Sequence, residues 1–379
     1  MSVSDRPAPA LKSAERRMPV TLTELGRRLN LSARAVSEVL NGGNPTSTVR
    51  VNPKTRERVR KLADKLGYRA NRSAQTLRLG KRRGLLGILL HSGLEPVWQE
   101  KAYYAHCHAE QNGFQLIPVY PRSHDHQGGM AAVDFFLDYR VEAVVMLQRL
   151  PDEGVQALLE QGIQVLSIGA AKPEGVPGYF PDKEGAARML TRHLLDGGNR
   201  RILLVGGVQQ QTPTHSIPII KGFEDAIARA RLHDPEVAGE IFSSEIALEG
   251  FMARDFPGIH GLFAPGYAAL KEKLATVSIP DAVFGMIPSV AQGAIGALTE
   301  AGVAVPERVA VAGFGDDPWS CTGKLPLTGV RFPNDELCAR AFADLRQVLA
   351  GEAEFPGEDV YLPCELLVRD SSRAKKHTP

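Results

Sequence analysis

The sequence predicts an all-α helix-turn-helix head followed by an α/β body made of two lobes with parallel sheets. Residues 1–84 hold 20 Lys+Arg and 6 Asp+Glu, a net charge of +14, and short helical patterns fill residues 20–67. From Leu85 onward, apolar runs alternate with helical stretches, which is typical of βα units. This second part holds 25 Lys+Arg and 37 Asp+Glu, a net charge of −12. A basic head on an acidic body favours a module that binds a polyanion.

Length and composition exclude several classes of protein. The chain has 379 residues, 43% of them hydrophobic and 23% charged, so it is neither wholly disordered nor collagen-like. Its 4 cysteines contain no CxxC pair, which favours reduced thiols over a disulfide scaffold or a zinc site. No apolar run approaches the ~20 residues of a membrane helix, and residues 1–17 lack the apolar core of a secretory signal. We therefore expect a cytoplasmic protein.

The basic head begins with two short helices joined by a tight turn. Thr21 and Glu24 form a predicted capping box, in which the Thr21 hydroxyl accepts from the Glu24 amide and the Glu24 carboxylate reaches back. Asn30 tolerates the left-handed conformation that the turn needs, and Ser32 is the predicted N-cap of a second helix over residues 32–41. The apolar positions at helical spacing are Leu22, Leu25, Leu29, Val36, Val39 and Leu40.

A third helix follows and completes a helix-turn-helix unit. Asn52 is its predicted cap, Pro53 occupies its first turn, and Gly67 ends it. Its buried face consists of Val59, Leu62, Ala63 and Leu66. Gly26 marks the place where the first two helices approach closely. This pattern is that of a helix-turn-helix domain, although any small three-helix module shares part of it.

The residues of this region carry a family resemblance. The runs VTLTELGRRLNLSARAVSEVLNG and VNPKTRERVRKLADKLGYRANRSAQTLR resemble the DNA-binding head of the LacI/GalR repressor family across residues 20–80. Residues 42–50 form a longer loop than is usual there. The resemblance implies that the second helix lies in the major groove and that Ala33, Arg34 and Glu38 read bases. The phosphate contacts that it implies are Thr21, Ser32, Asn52, Thr55, Arg56 and Arg72.

Residues 71–79 resemble the hinge helix of the same family. A helix this short is unstable alone in water and would fold when two copies meet on DNA. The resemblance implies that Leu77 is an apolar wedge in the minor groove, whereas the alternative makes Leu77 a core residue at a domain boundary.

The body contains repeated βα units. The predicted strands are LLGILL (85–90), FQLIPVY (114–120), VEAVVML (141–147), QVLSIG (164–169), RILLVGG (201–207), AVFGMI (282–287) and VAVAGF (309–314). The predicted helices cover residues 99–113, 128–139, 184–196, 219–230 and 289–301. Repeated βα units predict parallel sheets with helices on both faces.

Motifs in the body resemble the same family. They are DKEG (182–185), HL (193–194), GNRRI (198–202), KGF (221–223), VAVAGFGDDP, LPLTGVRFP and LVRDS (367–371). The resemblance implies a periplasmic-binding-protein-like fold of two discontinuous lobes. The chain would cross between them near residues 180, 330 and 360, and a ligand would lie in the cleft at the strand C-termini.

The cleft departs from the family pattern. Ile219, Ile287 and Gly315 stand where sugar-binding members have Arg, Asn and Asp, so we expect no ordinary sugar mode. An unpaired buried hydroxyl would cost ~1–3 kcal/mol. A less polar effector, one held by other groups, or no small effector remain open. The candidate replacements are His91, Gln148, Arg149, Asp316 and Trp319, each with a structural alternative; for Asp316 this is capping of the next turn.

Other chemistry is weak in this sequence. Two clusters contain potential metal ligands: His106, Cys107, His108 and Glu110, and then His124, Asp125 and His126. Neither cluster offers four convergent ligands, so no metal site is expected. No nucleophile elbow or nucleotide-binding loop is present, and neither an enzyme nor a cofactor is predicted.

We therefore predict a sequence-specific transcriptional regulator, a repressor, that binds a pseudo-palindromic DNA operator as a homodimer. An effector in the cleft would tune operator affinity, and the protein would be cytoplasmic and nucleoid-associated. The alternatives are a regulator controlled by a protein partner or without a small effector, and a ligand-binding α/β protein with an incidental basic head. The predicted boundaries are 1–17 (disordered extension), 18–68 (head), 69–84 (hinge and linker), 85–372 (effector-binding and dimerisation body) and 373–379 (tail).

Overall fold

The computed structural model describes residues 20–40, 51–68, 84–91, 96–121, 125–206, 213–242, 260–276 and 279–373. The chain divides into two compact units, residues 1–83 and residues 84–379. The predicted disordered extension lies outside the described residues, as do nearly all of the hinge and the tail, so these boundaries stay predictions.

The head unit is a bundle of three helices: α1 (Leu22–Leu29), α2 (Ala33–Leu40) and α3 (Pro53–Leu66). Its core is formed by Leu25, Val36, Val39, Val59 and Ala63. These residues come from all three helices and recur within each helix at helical spacing. The apolar faces of the three helices therefore pack together in one core.

The turn between α1 and α2 is tightly packed against the backbone. Asn30 caps α1 in the left-handed region with φ 53°, and the amide of Leu31 donates to the Gly26 carbonyl at 2.9 Å. A Cβ atom on Gly26 would lie 2.5 Å from the Leu31 carbonyl oxygen, so only glycine fits. Gly26 therefore packs against the turn that leads into the second helix.

The first lobe of the body is built on a six-stranded sheet. Its strands are β1 (Leu85–Leu89), β2 (Gln115–Val119), β3 (Ala143–Met146), β4 (Gln164–Ile168), β5 (Gly178–Pro181) and β11 (Val360–Leu362). They follow the order β11-β5-β4-β3-β1-β2, and every pairing is parallel. Helices α4 (Pro96–Gln111) and α12 (Asn334–Ala350) cover one face, and α5 (His126–Tyr139) and α6 (Asp152–Glu160) cover the other.

The second lobe repeats this architecture. Its strands are β6 (Arg201–Val205), β7 (Ala238–Phe242), β8 (Ala282–Gly285), β9 (Ala310–Gly313), β10 (Thr328–Arg331) and β12 (Glu365–Leu367). The order is β12-β10-β9-β8-β6-β7, with β12 antiparallel to β10 and the other pairs parallel. Helices α7 (Lys183–Asp196) and α8 (Pro213–Arg231) pack on one face, and α9 (His260–Thr276) and α10 (Pro288–Glu300) pack on the other. A short helix, α11 (Pro318–Thr322), precedes β10.

The chain passes between the lobes three times. The crossings lie between β5 and α7, between β10 and α12, and between β11 and β12. These are the positions near residues 180, 330 and 360 that the sequence predicted. The predicted fold class, a helical head with two discontinuous parallel-sheet lobes, is confirmed.

The sequence did not predict every element. Strands β5, β7, β10, β11 and β12 and helices α6, α9, α11 and α12 are additional. Strands β7 and β11 are half-exposed outer strands, so they lack the continuous apolar runs of the inner strands. In the described ranges, no helix combines the length and apolar character needed to cross a lipid bilayer.

We predict that Gly26→Ala selectively destabilises the head. The added methyl group would overlap the Leu31 carbonyl, and relieving the overlap requires a backbone shift that costs about 1–3 kcal/mol. Hydrogen exchange of the head amides in the full chain measures this, with an expected rate increase of roughly 10–100-fold.

Thr23→Ala is the matched control, because Thr23 is exposed on the same helix. Its effect should stay within about 0.5 kcal/mol. Equal exchange rates in Gly26→Ala and the wild type would show that the turn has room for a methyl group at this position.

Candidate functional sites

Helix α2 of the head presents a polar face opposite its buried one. Val36 and Val39 face the core, whereas Arg34 is exposed and Ala33 and Glu38 are partly exposed. Arg34 makes no hydrogen bond or ion pair with any described residue, so all five of its N–H donors are available. A guanidinium in this position can donate two hydrogen bonds to the major-groove edge of guanine.

Three side chains at helix N-termini use only their acceptor oxygens within the head. Thr21 Oγ1 accepts from the Glu24 amide at 3.2 Å, Ser32 Oγ accepts from the Ala35 amide at 3.2 Å, and Asn52 Oδ1 accepts from the Lys54 amide at 3.0 Å. All three residues are exposed. Their hydroxyl and amide hydrogens therefore remain as donors, and helix N-termini favour phosphate groups.

The other predicted phosphate contacts differ in position. Thr55 is partly buried on α3, and the Arg56 Nε donates to the Val51 carbonyl at 3.3 Å, which leaves the two terminal nitrogens of Arg56 as donors. Arg72 and the proposed wedge Leu77 lie outside the described residues, so the structure does not test their predicted roles.

One half of the predicted capping box is wrong. The Glu24 carboxylate does not reach back to the Thr21 amide; it accepts from Arg27 at 3.0 Å and from Arg28 at 2.7 Å. These bonds, with Arg27 first, lower the pKa of Glu24 to about 2. The guanidinium groups compete for the carboxylate because they lie three and four residues along the same exposed face.

In the body, polar groups follow successive strands of the first lobe at the carboxyl edge of its sheet. His91 follows β1, Gln148 follows β3 and Lys183 follows β5. The His91 ring stacks on Trp98 of α4, with ring centroids 4.2 Å apart. The Gln148 Oε1 atom is buried and has no hydrogen-bond donor among the described residues. Arg149 is exposed and pairs with Asp152 at 2.6 Å.

Lys101 of α4 points its side chain to the same edge. Its residue is only 4% exposed, and its Nζ lies 4.9 Å from the centre of the Trp98 ring. A Cβ atom on Gly169, just after β4, would lie 2.4 Å from this Nζ, so glycine leaves the space that the ammonium group occupies. The side chain of Lys101 has no carboxylate partner in the described parts of the chain.

Burial changes the acidity of both lysines at this edge. It lowers the pKa of Lys101 to about 8. Burial, and then the positive charge of Lys101, lower the pKa of Lys183 to about 8. The same burial raises the pKa of the neighbouring thiols of Cys338 and Cys364 to about 12, so these thiols stay neutral and offer no counter-charge.

At the second lobe's carboxyl edge, the three positions that depart from the family pattern contribute no polar side chain. Ile219 is fully buried in the lobe core, so its assignment to the cleft was wrong. Ile287 is partly buried against the core beside α10. Gly315 has φ +125°, and a Cβ atom there would lie 3.1 Å from Pro288 Cγ, so the backbone conformation needs glycine.

Asp316 is neutralised within the lobe. Its carboxylate accepts from Arg369 at 2.7 Å and from Arg331 at 3.1 Å. The predicted alternative, capping of the next turn, is wrong by one residue, because Asp317 accepts from the Ser320 amide at 2.8 Å. The carboxylate of Asp316 is thus already paired with two guanidinium groups.

The remaining candidates are dispersed. Trp319 is 56% exposed on the short helix α11. His108 pairs with Asp335 at 2.6 Å, and His126 pairs with Glu153. Among the described residues no group of three His, Cys, Asp or Glu side chains could hold a metal ion. His124 lies outside the described residues.

Comparisons with known proteins agree with this architecture. A family model for a periplasmic binding protein-like domain matches residues 191–372. The HTH-type transcriptional regulator CelR of Thermobifida fusca is 28% identical over 94% of this chain and 99% of its own length. The HTH-type transcriptional repressor CytR of Escherichia coli is 23% identical over 96% of this chain and 99% of its own length. The matches to the two regulators run through both the head and the body, whereas the family model lies within the body.

The comparisons support a transcriptional regulator similar to the LacI/GalR family. The resemblance identified in the sequence is confirmed, and the relatives are regulators rather than enzymes. The lac repressor dimer bound to operator and an anti-inducer has the same fold, with a TM-score of 0.73, 22% identity and coverage of 94% of this chain and 99% of that chain. The CelR–cellobiose complex matches with a TM-score of 0.61 at 24% identity, over 93% of this chain and 99% of that one.

Sequence reasoning missed Lys101, Lys183 and Trp98 of this regulator. A signal for Lys101 was present: it lies four residues before Ala105 and eight before Ala109, on the stripe of α4 that is buried. A lysine within an otherwise small and apolar stripe is unusual, because lysine is rarely buried without a partner.

We predict that Lys101→Met stabilises the unliganded regulator. The unfolded chain holds the lysine proton up to pH ~10.4, whereas the folded chain releases it near 8, so the buried charge costs roughly 3 kcal/mol at pH 7. Methionine fills the same space without charge. Urea unfolding should show a higher free energy of unfolding for the variant, with a difference that shrinks as the pH rises from 8 towards 10.

Lys271→Met removes an exposed lysine and is the matched control, with an expected change within about 0.5 kcal/mol. A Lys101→Met variant that is less stable than the wild type at pH 7 would mean that the ammonium group has a counter-charge.

Proposed function

We propose that this regulator is a repressor that recognises a specific DNA operator through α2 of its head. The observation that carries the proposal is that Arg34 is exposed on the face of α2 opposite its buried residues and pairs with no described residue. Ala33 and Glu38 lie on either side of it along the helix and complete the proposed base-reading set. An alanine methyl group can contact the thymine methyl, and a carboxylate can accept from cytosine N4.

The proposed phosphate contacts surround this face. Thr21, Ser32 and Asn52 keep free donor hydrogens at helix N-termini, and Arg56 adds charge. Thr55 and Arg72 complete the set that the family resemblance implies. The net charge of +14 in residues 1–84 supports a sequence-independent attraction to the phosphate backbone that weakens with salt.

The operator is proposed to be pseudo-palindromic and bound by a homodimer. The symmetry of two identical heads requires two related half-sites. The lac repressor structure with this fold is described as a dimer bound to operator, which supports the same assembly here. Residues 71–79 would fold as the hinge helix on DNA, with Leu77 inserted in the minor groove. A regulator of this kind acts in the cytoplasm, in association with the nucleoid.

The body is proposed to tune operator affinity through a small effector in its cleft. A ligand that binds one arrangement of the lobes better than another shifts their equilibrium by the difference in its binding free energy. The absence of polar side chains at Ile287 and Gly315 supports an effector that is not held in the usual sugar mode.

We predict that Arg34→Ala weakens binding to the preferred duplex by about 1–3 kcal/mol and relaxes the choice of base at one position of each half-site. The loss follows from the two hydrogen bonds that a guanidinium donates to guanine. Fluorescence anisotropy with the preferred duplex and its single-base variants, at one stated salt concentration, measures both effects.

Arg60→Ala is the control, because it removes the same charge from an exposed site on α3. This variant should weaken binding to all duplexes to a similar extent. The proposed role of Arg34 is refuted by a variant with the base preference of the wild type.

We also predict that Leu77→Ala reduces the bend of the bound operator, because a methyl group cannot keep a base step unstacked. Circular-permutation gels measure the bend angle. An unchanged angle with intact binding would contradict the wedge role and favour a structural role for Leu77.

A further inference from the structure

The ammonium group of Lys101 is buried, and no described carboxylate pairs with it. Lys101 is 4% exposed, and within the described residues its side chain contacts the Trp98 ring but donates to no carboxylate. The adjacent Glu100 is committed elsewhere, because its Oε2 accepts from Asn334 at 2.7 Å. Burial of a charge is costly unless it is paired, so this position has an electrostatic requirement that no described residue meets.

A second cation lies close to the first. Lys183 begins α7 immediately after β5, and Lys101 is near enough for its charge to lower the pKa of Lys183. Gly169 follows β4, the strand next to β5, and leaves the space for the Lys101 ammonium group. Two lysines that repel each other at one sheet edge would both be stabilised by the same anion.

The neighbouring groups define the rest of the ligand. The buried Oε1 of Gln148 lacks a donor among the described residues, so it suits a hydroxyl or N–H group of a ligand. The His91 ring stacks on Trp98, and the Lys101 ammonium group lies over the Trp98 ring. The aromatic rings therefore hold the ammonium group in place at the sheet edge.

We propose that the cleft binds a small hydroxylated organic oxyanion, with its carboxylate or phosphate paired to Lys101 and Lys183 and a hydroxyl donating to Gln148 Oε1. This inference rests on the proposed function only in assigning the ligand the role of effector. It also accounts for the apolar positions of the second lobe, because the first lobe supplies the polar contacts.

The test uses ligands of one size that differ in charge. Thermal unfolding of the full chain is followed at constant ionic strength with glucose, gluconate, glucose 6-phosphate and inorganic phosphate. We expect at least one anion to raise the unfolding temperature in a saturable manner, and glucose at the same concentration to leave it unchanged. Gluconate and glucose 6-phosphate distinguish a carboxylate from a phosphate ligand.

The variants assign the effect to the site. Lys101→Met and Lys183→Met should each raise the dissociation constant of the stabilising anion about tenfold or more, because a hydrogen bond to a charged group is lost. Lys271→Met, which removes an exposed lysine of α9, should retain the wild-type constant. Gln148→Leu should weaken the binding of the hydroxylated anions but leave the binding of inorganic phosphate unchanged.

Two results would overturn the proposal: no anion stabilises the wild type more than glucose does, or Lys101→Met binds the anion as tightly as Lys271→Met. Binding of the wild type to duplex DNA is measured separately. Selective DNA binding without an anion effect rejects this inference alone, whereas an anion effect without selective DNA binding rejects the proposed function alone.

Discussion

The three crossings between the lobes are the constraint on which the body depends. Each sheet is completed by a strand that the chain reaches only after visiting the other lobe: β11 returns to the first sheet and β12 to the second. Neither lobe can therefore fold from one continuous segment. In hinged two-lobe proteins the lobes rotate about such connections. Lys183 lies directly after the first crossing.

The buried charge at the first lobe's edge is a conflict between stability and function. Lys101 breaks the rule that a helix buries apolar residues, and at its position between the Trp98 ring and Gly169 no described carboxylate pairs with it. Local rules are often broken at functional sites, where stability is given up for binding. The contrast with Asp316 is informative, because that carboxylate is fully used by Arg331 and Arg369 and is structural.

Much of the fold could be predicted because its signals are local. Caps at Thr21 and Asn52, the left-handed Asn30 and the apolar stripes predicted the three head helices, and apolar runs predicted the inner strands. The outer strands β7 and β11 escaped because one-sided burial leaves a mixed sequence. Helix α12 was predictable in principle, since Leu337, Ala341 and Leu345 follow helical spacing.

The sites were predicted less completely, for a physical reason. The residues on α2 follow from sequence order within one helix, whereas the cleft joins side chains from α4, β3 and α7 that only the tertiary fold brings to one edge. Ile219 was misplaced because an aligned position does not reveal which way a side chain points. Lys101 was missed because a lysine on a predicted helix is usually solvated.

Regulation by this protein requires that its head selects a particular duplex sequence. Selection of bound duplexes from a random pool by the full chain, at a stated salt concentration and with excess competitor DNA, tests it most directly. We expect enrichment of two inverted half-sites at a fixed spacing, each with a guanine at a strongly preferred position. A pool that stays random after repeated rounds, in the presence and in the absence of the small oxyanions, would contradict it.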